Sequence, residues 1–349
     1  MAHRYNMEPP THTLTWQISR SEGIDGLDLV DRPIPQLGKK DVLVKIHAAS
    51  LNFRDALILN GHYPLEIIPK VTPLSDGAGE VISVGSEVIS FKKNDKVVTV
   101  MNGDFASGPI KPEIFARVLG SSVHGVAAEY VVLPENFLLP LPHNLSFIEG
   151  STLPTAGLTA WNTLYGAQGR PLKPGDWVLA QGTGGVSTFA ILFAKAAGAN
   201  VVAVTSSAAK AEVLKQLGAD HVVNYSEVRD WGSAVKSLTP GNAGVDIAIE
   251  IGGGESIIQS FAALKMDGLV ALVGFRSGKP QEQNILTSIG SSFATMRMVY
   301  VGPRSQYEEM NRFIEHHDIR PLVDKEIFPF QNLRESFTYL ASMKHMGKF

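Results

Sequence analysis

Gly182, Gly184 and Gly185 lie within the run QGTGGVS, directly after the apolar residues 178–180 and ahead of small and apolar residues at helical spacing over 187–197. Glycine lets a backbone turn sharply and lets another group approach it closely. A strand, a tight turn and a helix in that order aim the free N–H groups and positive dipole end of the helix at the turn, which suits a pyrophosphate. Gly198 supplies a stop signal and a second strand follows, so residues 176–205 read as one βαβ unit. The usual G-x-G-x-x-G spacing is degraded, because Ser187 stands at its sixth position. The strand–turn–helix–strand context is what makes this bend a dinucleotide site, with Gly182, Thr183, Gly184, Gly185 and Val186 as its contacts.

The end of the second strand bears on which dinucleotide binds. Sites selective for an unphosphorylated ribose usually place an Asp or Glu there. Here residues 201–204 run into Thr205, Ser206, Ser207 and then Lys210, with no acid before Glu212. Hydroxyls and a lysine suit a 2′-phosphate, so NADPH is the expected cofactor. Ser206 and Ser207 also suit capping of a helix that begins at Ala208, and the two roles are compatible.

A second polar cluster, Asn52, Arg54 and Asp55, precedes the chain break Gly61-His62-Tyr63-Pro64. Arg54 and Asp55 are expected to pair with each other or with nearby backbone. Phe53, Arg54 and His62 are candidates for lining a substrate cleft, and a lone histidine such as His62 or His124 is ordinarily a surface or satisfied residue.

The elements that must position these residues fall into two sections. With 349 residues, 44% of them hydrophobic and 19% charged, the chain has room for two domains and a sizeable core. The net charge of −3 gives no reason to expect nucleic acid or an anionic membrane surface. No segment reaches 18 uninterrupted apolar residues and the N-terminus lacks an apolar signal core, so a cytoplasmic protein is expected. The absence of cysteine excludes disulfides, thiolate zinc sites and a cysteine nucleophile.

Up to about residue 147 the pattern is β-rich and irregular, with strands expected over 14–18, 27–30, 41–49, 74–90, 96–101 and 127–133 and a short helix near 112–119. A helix-like stretch over 151–165 follows. Strands and helices then alternate to the strand over 296–301, which implies a doubly wound parallel sheet. Helices over 306–316 and 333–343 should pack back on the N-terminal section.

SLNFRDALILNGHYP (50–64), PLSDGAGEVISVG (73–85), LPTAGLTAW (153–161), LKPGDWVLAQGTGGVS (172–187), LGADHVVNY (217–225) and HMGKF (345–349) occur in this order. Together they resemble the medium-chain dehydrogenase/reductase superfamily, in its zinc-independent branch of quinone oxidoreductases and enoyl reductases. The resemblance implies a Rossmann domain over 153–301 and a β-rich, GroES-like catalytic domain over 1–152 and 302–349. Matched motif to motif, the catalytic zinc ligands of the alcohol dehydrogenases fall on Asn52, Ser75 and Thr155. A carboxamide and two hydroxyls are no substitute for two thiolates and an imidazole, so no metal is expected. Without a Lewis acid, the easier reaction is hydride addition to an acceptor that delocalises its own charge, such as a quinone, enone or enoyl thioester.

The resemblance further implies Tyr225 beside the adenosine, Gly252, Gly253 and Phe275 lining the nicotinamide, Thr159 near its ribose and Lys348 reaching the pyrophosphate. Tyr63 matches a tyrosine near the reacting carbonyl of enoyl thioester reductases, where it donates a proton or only shapes the cleft. Asn52 is a candidate to hydrogen-bond a substrate oxygen, and Asp76 is expected to be structural. Met266, Met296 and Met298 are expected in core or interface packing, and a homodimer is expected through the edge strand that starts at Met296 and ends at Val301. Two other readings stay open: a cofactor-binding member without net redox turnover, and a zinc-independent alcohol dehydrogenase.

Overall fold

The structure, a computed structural model, describes residues 10–274 and 282–349. Its first section contains β1 (His12–Ile18), β2 (Leu27–Pro33), β3 (Asp41–Ser50), α1 (Phe53–Leu59), β4 (Asp76–Val84), β5 (Lys96–Thr99), β6 (Tyr130–Pro134) and β7 (Leu138–Pro140). β1 and β2 form an antiparallel pair; the other strands form an antiparallel sheet in the order β6-β3-β4-β5-β7. The β3–β4 register shifts twice. A Cβ on Gly79 would lie 2.1 Å from the Lys45 carbonyl oxygen, so glycine is what lets these strands close at that point.

The second section follows α2 (Phe147–Gly150) and a π-helical turn over Leu153–Gly157. It contains α3 (Leu158–Tyr165), β8 (Trp177–Gln181), α4 (Gly185–Ala196), β9 (Asn200–Thr205), α5 (Ala208–Gln216), β10 (His221–Asn224) and α6 (Trp231–Ser237). β11 (Val245–Glu250), α7 (Ser256–Ala263), β12 (Leu264–Leu272), α8 (Glu282–Ser292) and β13 (Thr295–Met298) complete it. All strand pairs are parallel, in the order β10-β9-β8-β11-β12-β13. Counted from β8 this is 3-2-1-4-5-6, which places the topological switch between β8 and β11. Both faces of the sheet are covered, so its central strands are near-continuous apolar runs. Val178, Leu179, Ala180, Val201 and Val202 are fully buried. Trp161, Phe189 and Phe193 pack on one face, Trp231, Phe261 and Leu264 on the other.

α9 (Arg304–His316) and α10 (Leu333–Ser342) tie the sections together. α10 inserts Leu333, Phe337 and Leu340 into the core of Trp16, Leu27 and Val44. α9 joins both sections. It buries Tyr307, Met310 and Ile314 with Trp161 and Phe193, while Arg304 donates to the carbonyls of Asn136 and Leu138.

Several local expectations change. The cluster at 52–55 opens a helix, α1. The expected strand over 296–301 ends at Met298, and Val299 and Val301 turn inward. Met266, Met296 and Met298 are exposed and are not core residues. The expected helix near 112–119 is a 3₁₀ turn over Pro112–Ala116. Among the described residues no helix is long and apolar enough to cross a membrane.

Candidate active site

β8 delivers the chain to Gly182, whose φ of +74° strains any side-chain-bearing residue. A Cβ on Gly182 or Gly184 would meet nothing within 4 Å, so both face open space. Gly184 caps α4 with no side-chain hydrogen bond, which leaves the helix N-terminus open to an anion. Val186 is half-buried in the first turn of α4 and Thr183 is buried. Ser187, which replaces the third glycine, is fully buried, and its hydroxyl donates to the Gln181 carbonyl at 2.5 Å. The degraded spacing therefore leaves the cradle open and adds an internal tie.

Four further residues gather where β9 and β10 end. Ser207 caps α5, its Oγ accepting from the Lys210 N–H at 3.5 Å, as the capping reading expects. Ser206 and Tyr225 are exposed beside it, and the Lys210 ammonium donates to the Met343 carbonyl at 3.4 Å. At the end of β11, the buried Glu250 carboxylate accepts from Gln181 Nε2 (2.7 Å), Ser256 Oγ (2.5 Å), Ser260 Oγ (2.5 Å) and the Gly253 N–H (2.8 Å). Four donors offset the burial of this charge and hold the loop that carries Gly252 and Gly253. Sequence reasoning missed this network. Its signal is one acid closing the otherwise apolar run IAIE. Phe275 lies outside the described residues.

In the first section, Asn52 opens α1. Its N–H donates to Asp55 Oδ2 at 2.7 Å, half of a capping arrangement. Asp55 is buried and also accepts from Arg54 Nη1 at 3.3 Å. Burial pushes the Asp55 carboxyl up, to about 6, against the opposing pull of Arg54 and the Asn52 N–H. Burial acts to lower the Arg54 guanidinium, but Asp55 and Tyr63 outweigh it and hold it above its usual range. Arg54 Nε donates to the Tyr63 hydroxyl at 3.4 Å, its guanidinium stands 5.0 Å from the Tyr63 ring centre, and Nη2 donates to Ser121 Oγ. Arg54 thus orients Tyr63. Phe53 and His62 are exposed. His124 accepts from the Thr72 N–H at 3.1 Å and is satisfied.

The three positions matched to metal ligands are committed elsewhere. Ser75 Oγ and Thr155 Oγ1 each donate to Asp76 Oδ1 at 2.6 Å, and the Thr155 N–H donates to Asp76 Oδ2 at 3.1 Å. Asn52 Oδ1 accepts from the Lys348 ammonium at 2.5 Å. That ammonium also donates to the Leu51 carbonyl and stands 3.9 Å from Asp76 Oδ2. A fixed organic cation and two hydroxyls consumed as donors do not fit a zinc ion.

Lys348 is buried, and burial lowers its ammonium despite Asp76 and Asp55. Its main chain runs along the glycine turn, where the Gly347 N–H donates to the Thr183 carbonyl at 2.8 Å, but the side-chain hydrogen bonds run to Leu51 and Asn52 and not toward that turn. Thr159 is buried on α3. The nucleotide turn and the polar group around Asn52 thus meet at the chain's last residues.

Residues 38–143 match the alcohol dehydrogenase GroES-like domain family and residues 185–316 the zinc-binding dehydrogenase family. The chain is 43% identical to a zinc-type alcohol dehydrogenase-like protein of Schizosaccharomyces pombe, over 93% of this chain and 95% of that one. It is 28% identical to the chloroplastic NADPH-dependent alkenal/one oxidoreductase of Arabidopsis thaliana, over 97% of this chain and 79% of that protein. The quinone oxidoreductase structure from Pseudomonas syringae pv. tomato DC3000 superposes with a TM-score of 0.78 at 26% identity, over 96% of this chain and 98% of that one. Two matched domains in this order, a parallel sheet with its switch point beside a glycine turn, and a relative aligned over nearly its whole length lead to one conclusion: the chain belongs to the medium-chain dehydrogenase/reductase superfamily of oxidoreductases.

Proposed function

We propose that this oxidoreductase is an NADPH-dependent, zinc-free reductase of activated double bonds, taking a quinone or an α,β-unsaturated carbonyl. The observation that carries the reading is the state of Asn52. Its Oδ1 is taken by Lys348 while its buried Nδ2 has no partner among the described residues, so a donor remains for a substrate oxygen. A substrate carbonyl there gains negative charge as its conjugated carbon is reduced, and a placed N–H donor favours that charge. Tyr63, held by Arg54, is the nearby hydroxyl that would supply a proton.

The residues present fit a phosphorylated dinucleotide. Gly182 to Val186 would cradle the pyrophosphate, and Ser206, Ser207 and Lys210 would meet the 2′-phosphate. Tyr225 would flank the adenosine, and Thr159, Gly252 and Gly253 the nicotinamide end. When bound, the reduced nicotinamide supplies the hydride. The alkenal/one relative's name and the absence of an acid at the end of β9 both support NADPH. The division into a substrate domain (1–152 and 302–349) and a cofactor domain (153–301), and a cytoplasmic location, belong to the same reading. So does a homodimer through β13, whose open edge exposes Met296 and Met298; sedimentation velocity on the wild type and M298K checks that part.

Stopped-flow oxidation of NADPH and NADH against enones, enoyl thioesters, quinones and simple ketones tests the function. Turnover confined to conjugated acceptors, with NADPH preferred, is expected. Turnover of simple alcohols and ketones alone would replace the reading with that of a zinc-independent alcohol dehydrogenase, and tight NADPH binding with no turnover would make the chain a nucleotide sensor.

A further inference from the structure

We infer that Lys348 is a positioning residue of the substrate site. Its ammonium fixes the Asn52 carboxamide with Oδ1 turned inward and Nδ2 turned to the substrate oxygen. The inference rests on the proposed reduction of a conjugated carbonyl and names the device that makes the site selective for an acceptor oxygen.

An ammonium carries three donors and no acceptor, and a carboxamide carries one acceptor oxygen and two N–H donors. With Lys348 Nζ 2.5 Å from the amide, the oxygen must face it, because the flipped amide would set N–H against N–H. The remainder of Asn52 has no freedom to compensate. Its N–H is held by Asp55 Oδ2 and its carbonyl accepts from the Asp55 N–H at 3.0 Å. What is left is Nδ2, buried and without a partner among the described residues. An amide whose oxygen accepts from a cation becomes a stronger donor at nitrogen, so the ammonium acts through the amide on any oxygen placed there.

Lys348 is itself held with little play. Its N–H donates to the Leu322 carbonyl (3.1 Å) and its carbonyl accepts from the Asp324 N–H (2.7 Å). The preceding Gly347 takes a φ of +68° and donates to the Thr183 carbonyl. The lysine stem then passes over Gly185, where a Cβ would lie 2.6 Å from Lys348 Cδ. One glycine of the nucleotide turn is therefore needed to let the lysine through. Asp76, 3.9 Å from the ammonium and committed to Ser75 and Thr155, supplies the countercharge. Asp55 adds a second negative charge and is itself paired with Arg54.

The test uses K348M, N52A, their double variant and N52D in the full chain. Side-chain ¹⁵N–¹H₂ spectra of the cofactor-free protein identify the Asn52 pair by its loss in N52A. In K348M that pair should move; an unmoved pair overturns the inference whatever the activity. With 2-cyclohexenone, K348M and N52A should each lower kcat by about 100-fold, with the NADPH Kd from fluorescence held within about 2-fold, and the double variant should be no worse than the poorer single one. N52D keeps the contact with the ammonium but lacks a donor, so it should match N52A, which covers the case of an unstable K348M. A rise of about 10-fold or more in the NADPH Kd of K348M at unchanged kcat would assign the lysine to the cofactor and overturn the inference. A wild-type protein inert toward every conjugated acceptor would instead sink the proposed function and leave the spectral test to decide on Lys348.

Discussion

Of the residues proposed to hold the nucleotide, all but Thr159 on α3 lie just beyond a strand end: Gly182 after β8, Ser206 after β9, Tyr225 after β10, Gly252 after β11. Around the proposed substrate position, residues 52, 55, 76, 155 and 348 converge from four separate stretches of chain. The first kind of site is mostly backbone, glycine and helix terminus, placed by the sheet. The second consists of buried charges, hydroxyls and an amide that are hydrogen-bonded largely to one another. A local site tolerates change in its neighbours, whereas a convergent one depends on every partner being present.

The contrast breaks hardest at Arg54. R54M leaves the Asp55 carboxylate buried without its guanidinium, and removing one partner of a buried pair costs about 3–5 kcal/mol. Urea unfolding should show that loss; one below about 1 kcal/mol would mean that the Asn52 N–H and Lys348 suffice for Asp55.

A smaller effect comes from pH. The Asp55 pKa is about 6 in the folded chain against an ordinary 3.8, so the unfolded chain gives up its proton first as pH rises. The contribution of Asp55 to stability is therefore greatest below pH 4, falls through the window up to about pH 6, and stays low above it, a change of about 2–3 kcal/mol. The carboxyls of Asp220 and Glu315, held below their usual range, work in the opposite sense. The difference between wild type and D55N isolates the Asp55 part. Urea midpoints at pH 4, 5, 6 and 7 should show the D55N protein gaining on the wild type as pH rises, and parallel profiles would reject the assignment.

The smallest expected effect sharpens the local side. G184A adds a methyl that meets nothing within 4 Å at a residue without a positive φ, so stability should hold to within about 0.5 kcal/mol. That methyl enters the open space at the α4 N-terminus where the pyrophosphate is proposed to lie, so NADPH binding should weaken by about 10-fold, read by fluorescence titration. Unchanged binding would move the pyrophosphate away from Gly184.

The second section was legible from sequence because its signals are short-range. The apolar runs at 178–180 and 201–204, the glycine turn and the stop at Gly198 each fall within one element, and β8, α4 and β9 form there within a residue or two of expectation. The pairing of Arg54 with Asp55 and the capping by Ser207 were legible for the same reason. The edge strand was overextended, because an apolar run reads the same whether Val299 and Val301 continue a ladder or turn into the core.

By itself, then, the amino-acid order determined the alternation of strand and helix and the glycine turn between β8 and α4, both of which are properties of neighbours along the chain. The tertiary structure alone decided where the Lys348 ammonium goes and which end of the Asn52 amide is left free. It also decided that four donors would gather on Glu250. These depend on residues as far apart as 52 and 348 excluding water together, and a buried charge takes the partner that packing brings to it rather than one that sequence spacing can name.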